Sequence, residues 1–154
     1  MATLDQLQEY TQTLTHWLRG RTLGPELETE LTAEFGPDSS WFQTVKALSL
    51  QGMDSGEFGS RTAGNIRYGR LIKATDTTDG FSLDMVLMDT VAGPHHRHPN
   101  GEVDMVIPLD PDARFDGTPA GWKVYAPHSA HSPTVTGGKA IVLYFLPDGA
   151  IEFS

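Results

Sequence analysis

The stretch His96-Arg97-His98-Pro99-Asn100-Gly101-Glu102 constrains this chain more than any other. Extended backbone sends successive side chains to opposite faces, so His96 and His98 share one face while His95 and Arg97 take the other. Asn100-Gly101 is the strongest short signal for reversing a chain between two strands, and it predicts a tight β-hairpin here. On the returning strand Glu102, Asp104 and Val106 share a face, with Val103, Met105 and Ile107 opposite. Two imidazoles and a carboxylate gathered in this way form a divalent-metal site in need of a fourth ligand, for which His131 is the candidate. The competing reading is a histidine-rich surface turn.

The flanking periodicity says what carries this motif. Leu4, Leu7, Tyr10, Leu14, Trp17 and Leu18 recur at helical spacing behind a Thr3/Gln6 capping box. Pro25 opens a second helix bearing Leu27, Leu31 and Phe35, with Gly36 as its stop. Ser40 and Gln43 cap a third, which carries Trp41, Val45 and Leu48 and ends near Gly52. Met53 to Gly64 reads as a loop, and beyond it the period changes to two. Strands are expected at 66–74, 81–87, 102–107, 121–126, 139–146 and 150–153, with Asp76 to Gly80 as a turn. Short strands joined by close turns, without helices between them, predict a mainly β fold: a single antiparallel sandwich or barrel. The expected organisation is a helical segment at 1–52 packed on a β-barrel domain at 65–154.

Composition removes several function classes. With no cysteine among 154 residues, disulfides, zinc ribbons, iron–sulfur clusters and thiol catalysis are excluded. A net charge of −9, with no basic patch, argues against a nucleic-acid partner. No run approaches the roughly 20 apolar residues of a membrane helix, and no secretory signal pattern opens the chain, so no membrane partner and a cytoplasmic location are expected. The broad apolar face of the helices predicts a homodimer, with the helical segment covering the barrel or its twin.

Three nitrogens and one carboxylate leave an open position on an ion that prefers five or six ligands, the mark of a catalytic site. Without sulfur donors, Fe2+, Mn2+, Ni2+ and Zn2+ all stay open. Asp104 is either a second buried carboxylate, able to transfer protons or orient a ligand, or a solvated group at the mouth. His128, three residues before His131, is a candidate acid or base, and like His95 a candidate ligand. Arg67 and Arg70, on opposite faces of one strand, are candidates to clamp a substrate carboxylate. The plain reading of both is a solvent-facing strand charge.

The His96-x-His98-x3-Glu102 core followed by His131 resembles the cupin superfamily, whose members are small jelly-roll-like antiparallel barrels. Thr90 and Leu109 stand where the first cupin motif has glycines, and Pro127-His128-Ser129-Ala130-His131 is one residue shorter than the second motif. More closely, three segments are similar to the 4-hydroxylaminobenzoate lyase family: residues 93–104, Gly121-Trp122-Lys123-Val124-Tyr125, and Ser129-Ala130-His131-Ser132-Pro133-Thr134-Val135. The ending at 143–153 shares that likeness. The resemblance implies conversion of 4-hydroxylaminobenzoate to 3,4-dihydroxybenzoate and ammonia. It implies a divalent metal on His96, His98, Glu102 and His131, proton transfer by Asp104 or His128, and a small aromatic carboxylate held by Arg67 or Arg70. Two rivals stay open: a cupin dioxygenase of a small aromatic, and a non-enzymatic metal-dependent binding or sensor protein.

Overall fold

The computed structural model describes residues 3–153. Three helices lead, α1 (Thr3–Leu18), α2 (Leu27–Phe35) and α3 (Ser40–Ser55). Their starts are fixed differently from the expectation. The first amides of α1, on Thr3 and Leu4, donate to the Glu57 carboxylate at 3.3 and 3.0 Å, so the cap comes from a distant loop. The N-cap of α3 is Ser39, one residue early, whose hydroxyl accepts from the Phe42 amide at 3.1 Å. Nor does α3 stop at Gly52. It runs on to Ser55 and ends at Gly56, whose φ of +83° is the left-handed cap. Gly52 is there for closeness: a Cβ on it would lie 2.1 Å from the Phe58 ring.

Ten strands follow: β1 (Arg61–Ala63), β2 (Ile66–Ile72), β3 (Phe81–Ala92), β4 (His96–His98), β5 (Glu102–Pro108), β6 (Arg114–Phe115), β7 (Gly121–Tyr125), β8 (Ser129–His131), β9 (Thr134–Pro147) and β10 (Glu152–Phe153). Every pairing is antiparallel. One sheet has the order β1-β2-β3-β9-β5-β7, with β6 joined to β9; the second is β10-β4-β8. This is the expected mainly β, cupin-like body, arranged as two sheets of a sandwich.

The predicted hairpin is corrected by the pairing. β4 pairs with β8 and β10, while β5 pairs with β9 and β7. Pro99-Asn100-Gly101 is therefore a corner that carries the chain from the small sheet to the large one. Gly101 has φ +89°, and a Cβ there would meet the Tyr125 carbonyl at 2.8 Å, so the corner requires glycine. β1, β6 and β8 are too short to leave a periodic signal, and β1 lies within the segment expected to be loop.

The large sheet is covered on both faces, which is why the first six residues of β5 are all buried. Val103, Met105 and Ile107 belong to one apolar cluster with Leu7, Leu31 and Phe42 of the helices. Val106 belongs to the other cluster, with Phe115 and Val142. The apolar helix face is thus spent on the sheet of its own chain. Trp122 anchors this layer: it is 4% exposed, stacks near Trp41 at 5.9 Å, and its indole N–H donates to the Phe35 carbonyl at 2.9 Å. Glu28 accepts from the Val124 amide at 2.9 Å, filling a donor on the edge strand β7. Replacing Trp122 with alanine is expected to cost about 3–5 kcal/mol, read by urea unfolding, through the cavity and the unpaired Phe35 carbonyl.

Candidate metal centre

Alternation on β4 turns His96 and His98 inward, at 3% and 0% exposure, and leaves Arg97 on the outer face. The register of β4 with β8 sets His131 opposite His96. Across the corner, β5 presents Glu102 and Asp104 to the same interior, both at 0% exposure, so Asp104 is the buried carboxylate and not a solvated one. One candidate atom from each of His96, His98, Glu102 and His131 lies within 4.8 Å of the others.

Each imidazole is oriented by what its far nitrogen touches. His96 Nδ1 donates to the Pro94 carbonyl at 3.3 Å, since a carbonyl only accepts. The Ser129 hydroxyl donates to the Ala126 carbonyl at 2.6 Å, leaving its oxygen to accept from His98 Nδ1 at 2.9 Å. His131 Nδ1 donates to the Asp116 carboxylate at 2.7 Å. All three Nε2 atoms therefore face inward, 3.8, 3.2 and 3.6 Å from the Glu102 carboxylate for His96, His98 and His131. Asp116 is itself held by the Tyr125 hydroxyl and the Thr134 amide. Ser129 and Asp116, which orient His98 and His131, are the residues that the sequence did not reveal. Asp116-Gly117 reads simply as a turn, and nothing local ties it to His131.

His98 Nε2 and both oxygens of Glu102 are buried without a hydrogen-bond partner. A polar cluster left in that state is costly, and three inward nitrogens around a carboxylate fit a divalent cation. Burial, together with the neighbouring imidazoles and only partly offset by Glu102, lowers His96 to about 4. For His131 burial opposes the charged ring, but the Asp116 and Glu102 carboxylates outweigh it and raise the group to about 9. Burial would raise Glu102, yet the His131 and His98 rings and the Asp104 carboxyl beside it hold it at about 2. Burial and the Glu102 charge push Asp104 well above the usual carboxylate range, which favours its protonated form.

The other candidates lie elsewhere. His128 is exposed, donates its amide to the His98 carbonyl at 2.7 Å, and accepts from Arg97 at Nδ1 over 3.1 Å, on the outer side of the small sheet. Its φ of +71° and that of Thr90, +40°, are left-handed. Thr90 occupies a glycine position of the first cupin motif and His128 falls in the shortened second motif, so a conformation suited to glycine persists at both. The Thr90 hydroxyl accepts from the Gly138 amide at 3.1 Å, which helps to hold that turn. His95 is exposed. Arg67 points to the helix side, donating to the Met53 and Phe58 carbonyls at 3.2 Å each. Arg70 points to the interior side but is paired with Asp84 at 2.7 and 3.2 Å.

A cavity of about 730 Å³ opens onto His96 and Glu102, walled by Met88, Tyr144, Ile151 and Phe153. Fold and site together define a cupin-like sandwich with a three-histidine, one-glutamate cluster able to hold a metal. The chain belongs to the 4-hydroxylaminobenzoate lyase (PnbB) family, whose pattern matches residues 9–153. It is 33% identical over 162 residues to a 4-hydroxylaminobenzoate lyase of Nocardioides sp. (strain LMS-CY), covering 99% of this chain and 96% of that protein. It is also 33% identical over 153 residues to one of Pseudomonas putida, covering 88% and 87%. Among solved structures, an RmlC-like cupin protein from Ralstonia eutropha superposes with a TM-score of 0.45 at 13% identity, covering 61% of this chain and 62% of that one. No helix among the described residues is long and apolar enough to cross a membrane.

Two outcomes follow from the way His131 is held. Asp116→Ala is expected to weaken metal binding about 10–100-fold with the fold intact, measured by competition with a chromogenic chelator. Metal must displace the proton on His131 Nε2, so binding should release one proton and tighten about tenfold per pH unit until pH reaches about 9, then level off. The metal-free fold should show the opposite trend. Its raised His131 adds stability that is complete below about 6.5 and fades as pH climbs through about 9.

Proposed function

We propose that this chain is a divalent-metal-dependent lyase that converts 4-hydroxylaminobenzoate and water into 3,4-dihydroxybenzoate and ammonia. The observation that carries the reading is the buried cluster of inward Nε2 atoms around Glu102, opening onto an aromatic-walled cavity in a member of this family. Three imidazoles and a carboxylate without sulfur suit Fe2+ or Mn2+, with Zn2+ or Ni2+ as alternatives. When bound, such an ion supplies Lewis acidity to a substrate oxygen.

The chain's own residues account for the remaining steps. Asp104, raised well above the usual carboxylate range by burial and Glu102 and on the same side of β5 as Glu102, is the proton donor to the hydroxylamino oxygen. The N–O bond then breaks with its electron pair leaving on oxygen as water. A second water adds at the ring carbon beside the nitrogen, and its proton returns to Asp104. Hydrolysis of the resulting ring imine breaks the C–N bond, releases ammonia and restores the aromatic ring as a catechol. One water is consumed overall and no electron goes to or comes from an outside agent. The apolar wall of Met88, Tyr144 and Phe153 holds the ring and excludes bulk water. Proton transfer is assigned to Asp104 and not to His128, which pairs with Arg97 on the outer side of the small sheet.

Metal-loaded protein should release ammonia and form catechol from 4-hydroxylaminobenzoate anaerobically, without a nicotinamide. Asp104→Asn should lower kcat by about 10²–10⁴-fold while metal content stays near that of the parent. Oxygen uptake on catechols, with no ammonia from the hydroxylamine, would replace the lyase by a dioxygenase.

A further inference from the structure

A para-substituted benzoate is an anion, and this protein is poor at attracting one. It carries −9 overall, and Glu102 and Asp84 both line the cavity. A fixed cation at the rim, away from the metal centre, would offset that field. Arg61 and Arg70 are the arginines among the lining residues. Arg70 spends its charge on Asp84, gripping both carboxylate oxygens at 2.7 and 3.2 Å and adding a bond to the Gly149 carbonyl at 3.2 Å. That pair is locally neutral. Arg67 is turned to the helix side and bonded to backbone carbonyls.

Arg61 differs from both. It sits on β1, the edge strand of the large sheet, directly across from Tyr68. Cross-strand partners share a face, and Tyr68 is a cavity residue, so the arginine lies on the cavity side. It is exposed, and among the described residues no hydrogen bond or ion pair is recorded for its guanidinium. Tyr68 and Phe153, 37% and 66% exposed, are the exposed large hydrophobic side chains among the described residues, and both line this same cavity. An unengaged guanidinium beside exposed aromatic rings suits an aromatic ring that bears a carboxylate.

We propose that Arg61 is a specificity-determining residue, the anion-capturing group at the rim that selects aromatic carboxylates for this cavity. The inference rests on the lyase reading for its substrate, but anion capture can be read without turnover. Arg61 acts on entry and affinity, whereas the reacting end of the substrate lies toward His96 and Glu102.

The test compares the parent, Arg61→Gln and Arg61→Lys, all metal-loaded. The first readout is binding of 4-hydroxybenzoate, a non-reacting anionic probe, by titration calorimetry at low and high salt. The second is kcat and KM for 4-hydroxylaminobenzoate against uncharged phenylhydroxylamine. Arg61→Gln is expected to weaken the probe about five- to thirtyfold and to raise KM for the anionic substrate alike, with kcat unchanged. Arg61→Lys should recover most of that loss, and the neutral compound should be handled as by the parent. Added salt should narrow the gap between parent and Arg61→Gln. Unchanged probe binding in Arg61→Gln would overturn the inference, as would equal losses for charged and neutral compounds. Arg61-dependent probe binding without ammonia release would support anion capture and sink the lyase reading. Ammonia release with a KM indifferent to Arg61 would do the reverse.

Discussion

Glu102 is a carboxylate with no exposure and no hydrogen bond to either oxygen, and the rest of the site is arranged around that fact. A buried negative charge must be neutralised, and here three imidazoles are turned toward it by partners behind them. Pro94, Ser129 and Asp116 take the outer nitrogens, so the inner ones have no choice of direction. Burial and the same field push Asp104 well above the usual carboxylate range. One residue, placed by the first position of β5, thereby helps to raise both Asp104 and His131.

The large sheet is a partition between two tasks. Its helix side is a conventional apolar layer in which Phe35 packs edge to face on Trp41, and Trp122 lies tilted against Trp41. Its other side carries Glu102 and Asp104 and faces the histidines of the small sheet. β5 serves both through strict alternation, with Val103 and Met105 behind and Glu102 and Asp104 in front. The helical cover keeps the back of the strand dry, so the polar front is held on a strand that cannot easily shift register.

Much of this was legible in the sequence, because alternation depends only on the extended backbone. The shared faces of His96 with His98, and of Glu102 with Asp104, follow from that rule alone. The Asn100-Gly101 turn was legible as a reversal but not as a change of sheet. Turn chemistry fixes local direction, while strand partners are chosen by residues far away, such as Ala130 opposite Arg97. Gly52 resembled a helix stop because closeness to Phe58 leaves no trace in a one-dimensional pattern. Asp116 is hidden for the same reason, and the arginines of β2 read as substrate clamps because nothing local shows that Asp84 and backbone carbonyls already claim them.

The corner at Gly101 has a mechanical consequence. Because it sends the chain from one sheet to the other, His96, His98 and His131 sit on the small sheet while Glu102 sits on the large one. The small sheet has three short strands, of three, three and two residues, and little ladder of its own. An ion held by all four side chains would rivet the two layers together, much as a disulfide clips a long loop. Loss of the ion would then be felt as a loosening of β10, β4 and β8 and of the cavity wall that Phe153 provides, while the helix-backed sheet stays closed.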